Sequence, residues 1–171
     1  SLLGGSGSDL LAGGSGDDAL WGDTGFDDLR GGAGADMLDG GLHDDVLNGG
    51  PGIDSLHGGD GYDQLSVMGD EAEFDLLDGG ANTDLVVNVG GTPVVISGFL
   101  SGANAIEGWN GGGQPILGNS TANTLHFLSV SLSGVPYIDG GAGDDSITGT
   151  NGVDSLRGGE GKDTLWGMGG V

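Results

Sequence analysis

Leucine and aspartate recur at nine-residue intervals between residues 4 and 66. The unit is Gly-Gly-x-Gly-x-Asp-x-Leu-x, and seven copies follow one another without a gap. Self-similarity at a fixed period predicts a stacked repeat architecture. The last three positions hold one constant apolar residue between variable ones. They are too few for a helix, so they predict a short, half-buried β-strand.

The six residues before each strand predict a tight turn. Glycine at positions one, two and four permits positive φ angles and a close approach of neighbouring backbones. We therefore expect two units to form one closed coil of about eighteen residues, with the leucines inside and successive coils stacked as parallel strands. Asp23 replaces a glycine at position two and His43 one at position four, so His43 requires an unusual backbone or a relaxed turn.

The sixth position is where this stacking has chemical consequences. It places Asp9 next to Asp27 and Asp18 next to Asp36. Two carboxylates about 5 Å apart repel by about 1 kcal/mol in water and about 3 kcal/mol at an effective dielectric constant of 20. A cation between each stacked pair would turn repulsion into attraction. Carboxylates and backbone carbonyls in flexible glycine-rich turns are hard oxygen donors, which favour calcium over magnesium.

The repeated unit resembles the RTX nonapeptide, the haemolysin-type calcium-binding repeat. This resemblance implies a right-handed parallel β-roll, in which the aspartate supplies a side-chain oxygen and turn carbonyls supply most of the other ligands. Glycine-rich acidic segments are more commonly flexible linkers. A linker has no reason to keep leucine in one phase over seven units. Without calcium, however, we expect the chain to be largely disordered.

The repeat extends with irregularities to residue 87. A three-residue insertion at 67–69 interrupts the period, and two further units carry Asp75 and Asp84. If the insertion bulges outward, Asp75 pairs with Asp54, and Asp84 pairs with Asp63. Residues 1–87 therefore form a predicted calcium-binding block of nine units.

Residues 88–137 contain no aspartate and predict a calcium-poor β-solenoid spacer. We expect one longer strand in the sequence TPVVISGF, which begins at residue 92, and a protruding loop at Gly108 to Pro115. Asn123 stands where the repeat would have aspartate, and a neutral amide predicts a weaker calcium site. The predicted fold is thus all-β, a right-handed parallel β-roll or β-solenoid with two calcium-binding blocks separated by a calcium-poor β-helical spacer.

The repeats return in residues 138–171, a second calcium-binding block that reads as truncated. Asp145 pairs with Asp163, whereas Asp154 requires a partner beyond Val171, because Pro136 replaces the aspartate one coil earlier. The whole chain is expected to hold about six to eight calcium ions. The predicted metal ligands are Asp9, Asp18, Asp27, Asp36, Asp45, Asp54, Asp63, Asp75, Asp84, Asp145, Asp154 and Asp163.

Charge narrows the range of partners. The chain has 26 acidic and 3 basic residues, which give a formal net charge of −23. Such a polyanion is not expected to bind nucleic acid, and no apolar run is long enough to predict membrane insertion. The sequence contains no Ser-His-Asp set, no HExxH and no phosphate-binding lysine loop, so we expect no enzymatic activity in this segment.

The resemblance also implies a function. It indicates a module of a secreted bacterial protein, exported unfolded by a type I secretion system and folding on extracellular calcium, at the cell surface or beyond it. The alternative is a structural segment of an adhesin, surface layer or extracellular filament that assembles end to end with calcium, since uncapped solenoid ends expose sheet edges. Both ends of the sequence read as partial units, so more repeats or neighbouring domains of the same chain are expected.

Overall fold

The strands of this protein are short and numerous. The structure, a computed structural model, describes residues 1–68, 76–90, 92–96, 98–100 and 106–169, and these contain no helix. The strands are β1 (Leu2–Ser6), β2 (Leu10–Ser15), β3 (Ala19–Thr24), β4 (Asp28–Ala33), β5 (Met37–Leu42), β6 (Val46–Asn48), β7 (Ser55–Gly61), β8 (Gln64–Val67), β9 (Leu76–Asn82), β10 (Leu85–Asn88), β11 (Val94–Val95), β12 (Gly98–Leu100), β13 (Gly108–Asn110), β14 (Ile116–Leu117), β15 (Thr124–His126), β16 (Ser131–Ser133), β17 (Ile138–Asp139), β18 (Ser146–Thr148), β19 (Leu156–Arg157) and β20 (Thr164–Trp166).

The strands form four parallel sheets. Sheet 1 has the order β1-β3-β5-β7-β9, and sheet 2 has the order β2-β4-β6-β8-β10-β13-β16. Sheet 3 is β11-β14-β17-β19, and sheet 4 is β12-β15-β18-β20. Each strand pairs with the strand one coil later rather than with its neighbour in sequence. This arrangement confirms the predicted all-β parallel solenoid.

The regular coils repeat every eighteen residues. Leu20 pairs with Leu2 on one side and with Leu38 on the other, and the even-numbered strands pair in the same way, as Leu11 does with Leu29. The leucines at position eight are buried in a narrow core, and Leu20 and Leu29 have no exposed surface. Burying a leucine side chain stabilises the fold by about 1.5–3 kcal/mol. The nine-residue period thus places one such side chain inside on each face of every coil.

The three-residue insertion does not disturb the stack. Leu56 pairs with Leu77 across it, and Leu65 pairs with Val86. All four residues hold position eight of their units. Val67, the first residue of the insertion, ends strand β8 and is 1% exposed. Residues 69–75, including Asp75, lie outside the described residues.

The middle of the chain forms wider coils than the regular repeats. Strands there alternate among sheets 2, 3 and 4, so each coil has three strands rather than two. Trp109 pairs with Val86 at the buried apolar position, and its ring packs edge-on against Phe127 with 6.1 Å between centroids. The larger aromatic side chains fill the wider interior.

Two local predictions for this region were wrong. The segment after residue 91 holds two short strands in different sheets, β11 and β12, instead of one longer strand. The predicted loop at Gly108–Pro115 begins with strand β13, in which Trp109 is fully buried. Only the residues after it turn, where the Gln114 N–H donates to the Gly111 carbonyl. The reason is that the Trp109 side chain takes the place of leucine in the core. The glycine-rich sequence around Trp109 had instead indicated a loop.

His43 has the unusual backbone that was predicted for it, and Asp23 adopts the same conformation. Asp23 has a φ angle of 72° and His43 one of 82°. The glycines at the same positions of other units also have positive φ, for example 105° at Gly41. L side chains rarely adopt this conformation, so both residues are strained relative to the glycine that the turn favours.

Candidate metal centre

Aspartates at position six form a continuous row along sheet 2, which we call the first ladder. The backbone N–H of each donates to the Oδ1 of the aspartate one coil later. The distances are 2.8 Å from Asp9 to Asp27, 2.7 Å from Asp27 to Asp45, 2.8 Å from Asp45 to Asp63 and 2.8 Å from Asp63 to Asp84. Each carboxylate therefore uses one oxygen to connect adjacent coils.

The second oxygen of these carboxylates has no hydrogen-bond partner. The Oδ2 atoms of Asp27, Asp45, Asp63 and Asp84 are buried and accept no hydrogen bond, and the four residues are at most 2% exposed. Leaving a buried acceptor unsatisfied costs about 1–3 kcal/mol, and more when it is charged. A row of such atoms is unfavourable unless a positively charged ligand binds to them.

The first glycine of each unit brings further oxygens close to the carboxylate. A Cβ added at Gly40 would lie 2.5 Å from Asp45 Oδ2 and 2.6 Å from the carbonyl oxygen of Gly58, one coil later. A carboxylate oxygen and a carbonyl oxygen from adjacent coils therefore both pack against the Cα of Gly40. Any side chain here would collide with them. The geometry explains why position one is glycine and shows that oxygen donors from two coils are neighbours.

A second ladder runs along sheet 1. The Asp18 N–H donates to Asp36 Oδ1 at 2.8 Å, and the Asp36 N–H donates to Asp54 Oδ1 at 2.9 Å. Asp36 is 3% and Asp54 2% exposed. The next predicted member, Asp75, lies outside the described residues, so its pairing with Asp54 stays a prediction.

A third, shorter ladder lies along sheet 4. The Asn123 N–H donates to Asp145 Oδ1 at 2.8 Å, and the Asp145 N–H donates to Asp163 Oδ1 at 3.1 Å. Asn123 holds the predicted aspartate position, but its side chain is bound to Asn119: Asn123 Nδ2 donates to Asn119 Oδ1, and Asn123 Oδ1 accepts from the Asn119 N–H, both at 2.9 Å. Both Oδ1 and Nδ2 of Asn123 therefore have hydrogen-bond partners within the same turn, whereas a carboxylate at this position would have no N–H to donate to Asn119 Oδ1.

Asp154 is not part of a ladder in the described residues. Its oxygens accept hydrogen bonds from Thr150, at 2.9 Å from the backbone N–H and 2.9 Å from the hydroxyl. Pro136 occupies the ladder position one coil earlier and has no N–H to donate. The carboxylate is consequently held within its own turn.

Electrostatics in the first ladder favour a bound cation. Burial, reinforced by the charges of Asp63 and Asp27, raises the pKa of Asp45 from 3.8 to about 7. Burial and the neighbouring carboxylates likewise raise the pKa of Asp84 to about 6, and burial raises the pKa of Asp63. The fold thus concentrates negative charge where water cannot solvate it.

The donor set fits calcium. Within the described residues no group of three or more His, Asp or Glu side chains converges as a metal cluster, so the carboxylates must be supplemented by backbone carbonyls such as that of Gly58. Several oxygen donors of mixed kind in a glycine-rich turn suit the large, flexible coordination shell of Ca²⁺ better than the strict octahedron of Mg²⁺.

None of the described segments is a helix long and apolar enough to cross a membrane.

One ladder residue was missed by the sequence analysis. The Asp84 N–H donates to Oε2 of Glu107 at 3.0 Å, across 23 residues. Glu107 thus follows Asp84 in the first ladder. Two residues later Trp109 holds the buried apolar position, so the Glu-x-Trp spacing matches Asp-x-Leu. This Glu-x-Trp spacing was the sequence signal from which Glu107 could have been recognised as a ladder residue.

A parallel solenoid with buried rows of carboxylates and glycine turns defines a calcium-binding β-roll. The chain belongs to the RTX calcium-binding nonapeptide repeat family, whose model matches residues 1–29, 21–56, 48–67 and 137–171. No curated protein matches the sequence. The matches confirm the predicted family and calcium as the ion its repeats bind, and they leave the middle of the chain unassigned.

Proposed function

We propose that this chain is a calcium-responsive folding module of a secreted bacterial protein, located outside the cell or at its surface. Folding and calcium binding form one equilibrium, and the folded roll stabilises the protein after export by a type I secretion system. The observation that carries the proposal is the row of buried Oδ2 atoms without partners, at Asp27, Asp45, Asp63 and Asp84. The family to which the chain belongs supports the secreted setting.

The thermodynamic reason lies in the charge. Without ions, the ladders bury several carboxylates in a chain of net charge −23, and the narrow leucine core offers limited compensation. Extracellular calcium modules bind with Kd values of about 10⁻⁴ to 10⁻³ M. The low calcium concentration of the cytosol would therefore leave the chain unfolded for export, and the higher concentration outside would fold it.

The proposed ion sites lie between ladder members of adjacent coils. The described pairs are Asp9–Asp27, Asp27–Asp45, Asp45–Asp63, Asp63–Asp84, Asp18–Asp36, Asp36–Asp54 and Asp145–Asp163. They support two calcium-binding blocks, 1–87 and 138–171, flanking a spacer at 88–137. Asp75 and Asp154 remain predicted ligands without a described ladder partner. No catalytic role is proposed for this segment.

Far-ultraviolet circular dichroism during a calcium titration at pH 8, with magnesium as the control ion, tests the proposal. We expect a cooperative transition from coil to β-structure with calcium, at millimolar or lower concentration, and none with magnesium. A β-spectrum of full amplitude in the calcium-depleted protein would contradict ion-driven folding. Light scattering in the same titration tests the filament alternative, which requires the particle mass to grow with calcium.

A further inference from the structure

The first ladder continues into the middle of the chain, beyond the residues that the family model matches. Leu85 pairs with Gly108, and the Gly108 N–H donates to the Asp84 carbonyl at 2.9 Å. The regular repeats show the same bond, from the Val46 N–H to the Asp27 carbonyl at 2.9 Å. Glu107 therefore stands at position six of its coil, although 23 residues rather than 18 separate it from Asp84.

The Glu107 carboxylate also takes over the role of an aspartate. Its Oε2 accepts the Asp84 N–H at 3.0 Å, just as Asp84 Oδ1 accepts the Asp63 N–H at 2.8 Å. Glutamate has one methylene more than aspartate, and its carboxylate makes the same bond to the preceding coil. Hydrogen bonding between the coils is thus preserved where the repeat sequence is lost.

The Asp84 carboxylate requires a positively charged partner where it lies next to Glu107 in the first ladder. Its side chain is completely buried, and its Oδ2 accepts no hydrogen bond. Negative charge surrounds it, since Asp63, Glu107 and Asp78 all disfavour its ionised form. His57 Nδ1 lies 3.3 Å from Asp78 Oδ2, so this histidine is paired with Asp78 and not with Asp84.

The few basic side chains of the sequence are engaged or remote. Arg30 is bound to Asp28 at 2.6 Å, and Arg157 lies over the ring of Tyr137. Lys162 is exposed in the final coil. A cation from solution is therefore required to neutralise the two carboxylates.

The ladder ends at Glu107. The next coil pairs Ser131 with Gly108, which places Val130 at position six, where it is 4% exposed. Valine offers no oxygen from its side chain, and the Glu107 N–H donates to the Asp84 carbonyl instead of to a following carboxylate. Glu107 is consequently the terminal carboxylate of the row.

We propose that Asp84 and Glu107 hold a further calcium ion at the end of the first ladder, with Glu107 as a metal ligand supplied by the middle of the chain. The assignment rests on the proposed calcium-binding function. It extends the ion-binding region beyond residue 87 into the first coil of the wider segment.

The test is the number of calcium ions bound at saturation, measured by native mass spectrometry on the whole chain. Glu107→Gln keeps an oxygen that can accept the Asp84 N–H but removes the charge. We expect it to bind one ion fewer than the unchanged protein. Glu160→Gln, which removes a charge from an exposed side chain, serves as the matched control and should bind the full number.

Trp109 reports whether the coil remains folded, since it is fully buried and two residues from Glu107. Its emission can be isolated by Trp21→Phe and Trp166→Phe in every protein compared. An unchanged ion count in Glu107→Gln, or an ion loss accompanied by exposure of Trp109, would overturn the assignment of Glu107. Absence of calcium from the unchanged protein would instead refute the proposed function itself, so the two failures are distinguishable.

Discussion

At the scale of single residues, the ladder aspartates have two oxygens with different tasks. Oδ1 of Asp45 accepts the Asp27 N–H and holds two coils together, whereas Oδ2 is buried without a partner. The first task requires only an acceptor, which an amide also provides. The second requires a negative charge and an ion. A substitution that changes charge but not shape should therefore separate them.

Asp45→Asn is expected to have opposite effects with and without calcium. The amide keeps an acceptor for the Asp27 N–H and removes a charge that burial disfavours, so the calcium-depleted protein should contain more β-structure. Loss of a ligand should raise the calcium concentration at the folding midpoint on the order of threefold to tenfold. Circular dichroism of both forms measures the two effects.

Asp44→Asn is the matched control. Asp44 is the adjacent residue, is exposed, and uses Oδ1 to accept the Tyr62 N–H at 3.0 Å. Its substitution removes the same charge from a solvated position and should leave the calcium midpoint nearly unchanged. Equal shifts for Asp44→Asn and Asp45→Asn would mean that calcium responds to overall charge alone and not to the ladder.

At the scale of elements, the regular units could be predicted because every position agrees with the same structure. Leucine is buried, glycine occupies the left-handed turn positions, and aspartates two units apart meet in the ladder. The wider coils could not be predicted in the same way. Each adds a third strand, so Asp84 and Glu107 lie 23 residues apart and Asn123 and Asp145 lie 22 apart. A nine-residue template loses its register there, which is why Glu107 and the buried Trp109 were missed.

The third ladder shows how a coil can form without an ion. Asn123 is 2% exposed, and its amide satisfies its hydrogen bonds through Asn119 while its N–H donates to Asp145. Local amide pairing here replaces the neutralisation that calcium would supply at the proposed sites of the regular coils. The middle of the chain is therefore expected to depend less on calcium than the coils on either side.

Asn123→Asp should make the contact between the coils of Asn123 and Asp145 depend on calcium. The change replaces an amide donor with a carboxylate, removes the bond from Nδ2 to Asn119 Oδ1, and places a buried charge one coil from Asp145. We expect a loss of stability on the order of 1–3 kcal/mol in the calcium-depleted protein, the cost of an unsatisfied buried group, with recovery in calcium. Amide hydrogen exchange of residues 123–126 would measure both.

An exposed neighbour provides the comparison for this variant. Asn151 lies on the surface and donates to the Leu128 carbonyl at 3.1 Å. Asn151→Asp adds the same charge at an exposed position of the following block, outside the ladder. Similar loss of protection in both variants would show that added charge, rather than its place in the ladder, is responsible.

At the scale of the whole molecule, the proposed ion sites would make calcium and protons compete for the same carboxylates. In the ion-free fold, burial raises the pKa of Asp45 from 3.8 to about 7 and that of Asp84 to about 6. The folded state then binds more protons than the unfolded state between pH 4 and pH 7. Linkage requires the ion-free fold to gain stability as the pH falls through this window and to lose it as the pH rises.

The calcium dependence should therefore be strongest at alkaline pH. We expect the calcium-depleted protein to be least structured at pH 8 and to gain β-structure toward pH 5.5, while the calcium concentration at the folding midpoint falls because protons already stabilise part of the fold. Circular dichroism titrations at pH 8, 7 and 5.5 after calcium removal on a chelating resin measure both trends. A calcium-depleted β-signal that increases with pH would contradict the buried ladder.

Neutralisation of the surface also favours a compact state at low pH, because the net charge of −23 diminishes. The two contributions can be separated with the same pair of variants. Asp45→Asn removes a carboxylate that titrates near pH 7, so it should flatten the pH dependence of the calcium-depleted protein between pH 6 and 8. Asp44→Asn removes an exposed carboxylate and should leave that slope intact. A difference between the variants in this window would locate the pH response in the ladder, and through it in the ion sites.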